Sequence, residues 1–174
     1  MSGHTAFFLV QASSPVDACT VASKAIDDLF DWGWLCEGDR GYVDALECPK
    51  ADGSPDLDGH VLHAGADPEA FITELQNLEA LRLKQARGLI REAHDEMFKG
   101  GIGSLLWAEL EEQNPKMGMV GYRLKRAGQI IGRDFTPVMV LWNVVDTEAG
   151  VSSEDLEAIR ADPALWYLVE VTIG

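Results

Sequence analysis

The sequence predicts an α+β fold, a ferredoxin-like split β-α-β sheet with a helical insertion at about residues 67–132, within a single domain spanning residues 1–174. Three observations predict it. Strand-length apolar runs lie near both ends, Thr5 to Val10 and Trp166 to Ile173. Helix-start chemistry follows the first run and precedes the last. Between them, apolar residues recur at helical spacing over some sixty residues with glycine and proline stops.

In chain order, Thr5 to Val10 is the first strand. Ser14-Pro15-Val16-Asp17 starts a helix, with Ser14 as N-cap, Pro15 at the first helical position and Asp17 near the positive end of the dipole. Ala18, Ala22, Ala25, Ile26 and Leu29 carry that helix to about Phe30. Segments 42–47 and 60–64, joined by the polar loop 49–59, predict a hairpin with a long exposed loop.

Asp67-Pro68-Glu69 repeats the helix-start pattern, and Phe71, Leu75, Leu78, Ala86, Leu89, Ile90, Ala93 and Met97 mark a long helix to about Lys99. Gly100-Gly101 stops it. A shorter helix capped by Ser104 runs to about Gln113, and a third, through Val120, Leu124, Ala127 and Ile131, ends at Gly132. Val138 to Val145 is a strand with both faces apolar, Ser152 or Ser153 caps a short helix, and Trp166 to Ile173 closes the sheet. In a ferredoxin-like sheet the helices lie on one face.

Composition narrows the function classes. The chain has a 47% hydrophobic fraction and five tryptophans, enough for one packed core. No run of eighteen apolar residues offers a membrane span. The N-terminal segment lacks the basic region of a secretory signal, and three cysteines without a CxxC pair suit reduced thiols, so the expected location is cytoplasmic.

The net charge is -15, and it is uneven. Residues 17–79 carry fifteen acidic side chains and three Lys/Arg, whereas residues 80–135 carry ten Lys/Arg and seven acids. Such a surface disfavours direct nucleic-acid binding and suits a basic protein partner, or imitation of nucleic-acid charge.

Residues 31–41 (DWGWLCEGDRG), Asp134-Phe135-Thr136-Pro137 through Asp146, and Leu156 to Thr172 together resemble a group of small uncharacterised α+β proteins encoded by bacteriophages and prophages. That group combines an N-terminal strand and helix, an aromatic turn with glycine and arginine, and a closing strand–helix–strand. The resemblance covers the two ends of the chain. Glu37-Gly38-Asp39-Arg40 stands where the group has paired glycines before arginine. The resemblance implies phage-type origin and an accessory role, and no reaction.

Candidate chemistry is sparse. Cys36, Cys48, His60 and His63 have ligand types that zinc prefers, but eleven residues separate Cys36 from Cys48 and another eleven separate Cys48 from His60. His60 and His63, three apart on a strand, point to opposite faces, so no metal site is expected. His94-Asp95 is the metal-binding dipeptide of HD-type phosphohydrolases, here on an amphipathic helix. Gly100 to Ser104 lacks the lysine of a phosphate loop, and Asp52, Asp56 and Asp58 miss the calcium-loop order at Leu57.

The leading expectation is therefore a non-enzymatic accessory protein that binds a host protein, with anti-defence inhibition as its sharper form. Its contacts would be Trp34, Asp39, Asp44, Asp52, Asp56 and Asp58, with no cofactor. The alternative is small-molecule or nucleotide binding on a basic helix face through Arg87, Arg91, Arg123 and Arg126, extending to a metal-dependent phosphohydrolase through His94 and Asp95.

Overall fold

The computed structural model describes residues 4–31, 41–47, 49–98, 115–134, 136 and 139–173. Strand β1 (His4–Gln11) is central. Its alternation sends Ala6, Phe8 and Val10 to one face and Leu9 to the other, all fully buried. β1 pairs antiparallel along its whole length with β6 (Trp166–Ile173), from His4 opposite Ile173 to Gln11 opposite Trp166. On its other side it pairs parallel with β4 (Leu141–Asn143), and β5 (Glu148–Ala149) follows antiparallel to β4. The result is a six-stranded mixed sheet of order β2-β6-β1-β4-β5, with β3 also beside β6.

β2 (Gly41–Val43) and β3 (Val61–His63) do not form the expected hairpin. β2 pairs antiparallel with residues 171–173 of β6, and β3 pairs antiparallel with residues 167–169. Two strands antiparallel to the same partner run the same way, so they lie end to end along one edge of β6 and cannot close a hairpin. Residues Asp44–Glu47 form a helical turn, α2, instead of extending β2.

Helix α1 (Pro15–Asp31) starts as the sequence predicts. The Ser14 hydroxyl accepts the Asp17 N–H at 3.2 Å, and the Asp17 carboxylate accepts from the Ser13 N–H and hydroxyl. Ala18, Ala22 and Ala25 bring the helix close to the sheet, where Ile26 and Leu29 join Ala6, Phe8, Val10, Tyr167, Val169 and Val171 in one core. Gly41 belongs to that approach, because a Cβ there would lie 2.7 Å from Ile26 Cγ2.

The second core lies on the opposite face. There α3 (Pro68–Phe98) and α5 (Ser153–Ala161) set Phe71, Ile72, Leu75, Leu78 and Ile159 on Leu9, Leu141, Trp166 and Leu168. The α+β class is as predicted. The arrangement departs from a ferredoxin-like sheet in two respects, because β4 runs parallel to β1 and the helices cover both faces. The physical reason for helices on both faces is that β1 and the Trp166–Val169 half of β6 bury apolar side chains on both faces. Each large side chain so buried is worth about 1.5–3 kcal/mol, which neither face can forgo.

The second half of α3 runs antiparallel against α4 (Pro115–Ile131), with Arg82 meeting Ile130 near one end and Glu92 meeting Arg123 further along. Arg82, 4% exposed, fixes this pairing. Its Nε and Nη2 donate to both oxygens of Glu79 at 2.8 and 2.6 Å, and its Nη1 donates to the Ile130 carbonyl near the end of α4. Gly150, at φ +90°, passes directly over this pair.

Candidate functional site

The sheet edge formed by β2, β3 and the loop between them gathers polar side chains. Glu170 and Thr172 alternate with Leu168 along β6 and so share its face. His60 Nδ1 lies 2.7 Å from Glu170 Oε2, and the Thr172 hydroxyl donates to both Asp44 oxygens at 3.0 and 3.2 Å. Burial pushes the Asp44 carboxyl above its ordinary value. The Thr172 hydroxyl opposes that shift, and the neighbouring Glu170 charge adds to it.

The loop leading into β3 is acidic but internally organised. Asp52 accepts from the Ser54 N–H and hydroxyl, an Asx turn, and the fully exposed Asp52 carboxyl is held below its ordinary value by these bonds. Lys50 Nζ reaches Asp58 at 2.9 Å and Asp56 at 3.7 Å. Lys50 is the only lysine or arginine between residues 41 and 79. Among the described residues 41–63 with Glu170, this edge therefore presents Asp44, the loop acids Asp52, Asp56 and Asp58, and Glu170, with Lys50 as the one Lys or Arg.

Past β3 the surface opens into a groove of about 480 Å³ between that strand and the first turns of α3. Val61, Leu62, Ala66, Ala70 and Phe71 give it mainly apolar walls, with Asp67 and Glu74 as acids at its side. His63 is committed to structure, its ring stacked on Tyr167 at 4.4 Å and its Nε2 3.0 Å from the Ala164 carbonyl oxygen. His60 and His63 thus serve opposite faces, as their spacing predicts. Cys36 and Cys48, the other members of the zinc pattern, lie outside the described residues, as do Trp34 and Asp39 and the Gly100 to Ser104 turn.

The basic residues of the helices are divided among different partners. Arg123 Nε meets Glu92 at 3.2 Å, and Arg126 donates to the Tyr122 hydroxyl at 2.6 Å while lying over its ring. Arg87 and Arg91 are exposed on α3. His94 and Asp95 are exposed there too, with the His94 ring tilted against Phe98.

Sequence reasoning missed a second acidic cluster. Among the described residues, Asp146, Glu148 and Asp155 form a set of carboxylates whose oxygens lie within 4.8 Å of one another, and this is where a divalent cation would find ligands. Each acid already has a partner. Asp155 closes the capping box of α5 with Ser152, Glu148 pairs with Arg133, and Asp146 accepts from Asn143 at 3.0 Å. The capping pattern Ser152-x-x-Asp155 was a legible signal for one member; the approach of the β4–β5 turn was not.

A hydrogen bond couples the Asp146 and Asp155 carboxyls. The hydrogen bond to Asp155 pushes the Asp146 carboxyl up, helped by burial and by the Asp155 and Glu148 charges. Burial pushes Asp155 up as well, but the bonds from Ser152, Asp146 and Asn143 outweigh it and hold Asp155 below its ordinary value. The raised Asp146 contributes stability below its unfolded pKa, lost as pH rises through its folded value. The lowered Asp155 contributes stability above its unfolded pKa, lost as pH falls through its folded value. Asp146→Asn replaces the raised carboxyl with a neutral amide that can still donate to Asp155. It is expected to raise Tm at pH 7 and to lose that advantage toward pH 4, by less than about 1 kcal/mol because Asp146 is exposed and water screens it. Melting curves across pH 4 to 8 check this, and an equal effect at every pH would remove the Asp146 titration from the account.

No helix among the described residues is long and apolar enough to cross a membrane. Compared with protein-family models, curated proteins and solved structures, the chain gives no match.

Proposed function

We propose that this chain is a non-enzymatic accessory protein of phage type that acts by binding a basic surface of a host protein, with inhibition of a host defence protein as the sharper form. One observation carries this reading: among the described residues, the sheet edge from Asp44 through the 52–58 loop to Glu170 concentrates acid side chains around Lys50. Acids so placed steer and orient a basic partner.

The loop acids are exposed or nearly so, and their bonds are local, so reversing them leaves the cores untouched. The variant Asp52→Lys, Asp56→Lys, Asp58→Lys is expected to melt within a few degrees of the parent and to capture host partner at least about tenfold more weakly, with capture also falling as salt rises. Quantitative pull-down with both proteins at matched concentration measures it. Unchanged capture would remove the loop from the interface.

A further inference from the structure

We propose that the free edge of β3, with the groove between it and α3, is the seat for an extended basic peptide segment that joins the sheet as an added strand. This rests on the proposed binding of a basic partner and names the place and form of the contact. Among the described residues, β3 pairs with β6 on one side only. The Glu170 N–H donates to the His60 carbonyl and the Ala64 N–H to the Trp166 carbonyl, so Leu62 exchanges its backbone bonds with Leu168, and Val61 and His63 turn their backbone groups away from β6.

Local turns take two of those outward groups. The Val61 N–H donates to the Leu57 carbonyl, and the His63 carbonyl accepts the Ala66 N–H. Among the described residues, the Val61 carbonyl and the His63 N–H remain directed outward, an acceptor and a donor in the spacing that one residue of an added strand satisfies. Beside them lies the groove, with Leu62 43% exposed and Glu74 and Asp67 flanking apolar walls.

Strand addition supplies main-chain bonds, and pockets for alternate side chains supply the choice of sequence. An apolar side chain would enter over Leu62 and Ala70, and neighbouring Lys or Arg side chains would meet Glu74, Asp67 and the loop acids. A second copy of this chain is disfavoured as occupant, because two such edges would set like charges against each other.

The test uses the whole protein and a capped peptide alternating lysine with leucine. Its controls are the glutamate–leucine counterpart and a version N-methylated at alternate residues, which cannot complete the strand. Fluorescence anisotropy gives Kd, and amide NMR shifts report Leu62, whose N–H shares a peptide group with the Val61 carbonyl, and His63. The expected result is binding of the lysine peptide with shifts at both amides. N-methylation and Glu74→Lys should each weaken it at least tenfold, and the glutamate peptide should not bind.

Binding that survives N-methylation and Glu74→Lys but is lost with the 52–58 reversal would overturn the groove and leave the acidic-surface reading standing. Absence of peptide binding by a protein that still captures its partner would also overturn the groove. A dimer held through β3, seen by sedimentation and dispersed by Leu62→Lys, would overturn it in favour of self-pairing.

Discussion

Arg82→Ala is expected to destabilise the protein by about 3–5 kcal/mol, a fall in Tm of roughly 10 °C. The guanidinium is 4% exposed and satisfies three acceptors on two elements, both Glu79 oxygens and the Ile130 carbonyl. Removing it leaves the Glu79 carboxylate, only 20% exposed, without its counter-charge and the carbonyl without its donor. A cavity of guanidinium size adds to the loss.

A second variant separates these causes. Arg82→Met with Glu79→Gln removes both charges while keeping most of the volume, and it should recover more than half of the lost stability, because an unpaired buried charge costs more than an absent pair. If the double variant is as unstable as Arg82→Ala, packing and not charge holds α3 to α4. Urea melts of the three proteins decide it.

Gly150→Ala is expected to cost about 2–4 kcal/mol, well beyond an ordinary surface change. Two terms combine. Gly150 sits at φ +90°, a conformation that a Cβ opposes by about 1 kcal/mol or more. The added methyl would also stand 2.4 Å from Glu79 Oε2 and 2.9 Å from Arg82 Nε, so the ion pair must move. The two sites should therefore couple. With Arg82→Ala already present, Gly150→Ala should cost at least 1 kcal/mol less than it does alone. Strict additivity would show that Arg82 takes no part in the cost, leaving Glu79 and the backbone conformation to account for it.

The elements most legible in the sequence were those whose signals are local. Ser14 caps its helix as its flanking residues predict, Ser152 is the cap of the two serines offered for the last helix, and the apolar runs at either end form the two long strands. Pairing was less legible, because β2 and β3 are three residues each and take their register from β6, more than a hundred residues away. The parallel β1–β4 pair leaves no turn chemistry to read.

The site followed the same division. Asp44, Asp52, Asp56 and Asp58 stood out by charge, but Glu170 did not, although it is the only charge in β6. Arg82 lies on the same helix as the exposed Arg87 and Arg91 but is itself buried. Its spacing from Phe71, Leu75, Leu78 and Ala86 places it on the buried face of α3, and that spacing was the signal to follow.

The place of β6 in the sheet bears on how the protein is made. Residues 166–173 supply a neighbour to β1, β2 and β3 alike, and His4 meets Ile173 across nearly the whole chain. During synthesis the first three strands leave the ribosome with their common partner still unmade. α1, with its caps and periodicity, can form early, but the sheet edge that carries the acidic loop has no platform until translation has passed residue 173. Such long-range pairing folds slowly. A nascent chain stalled short of β6 should therefore resist neither protease nor chaperone capture, and protection should arise in one late step.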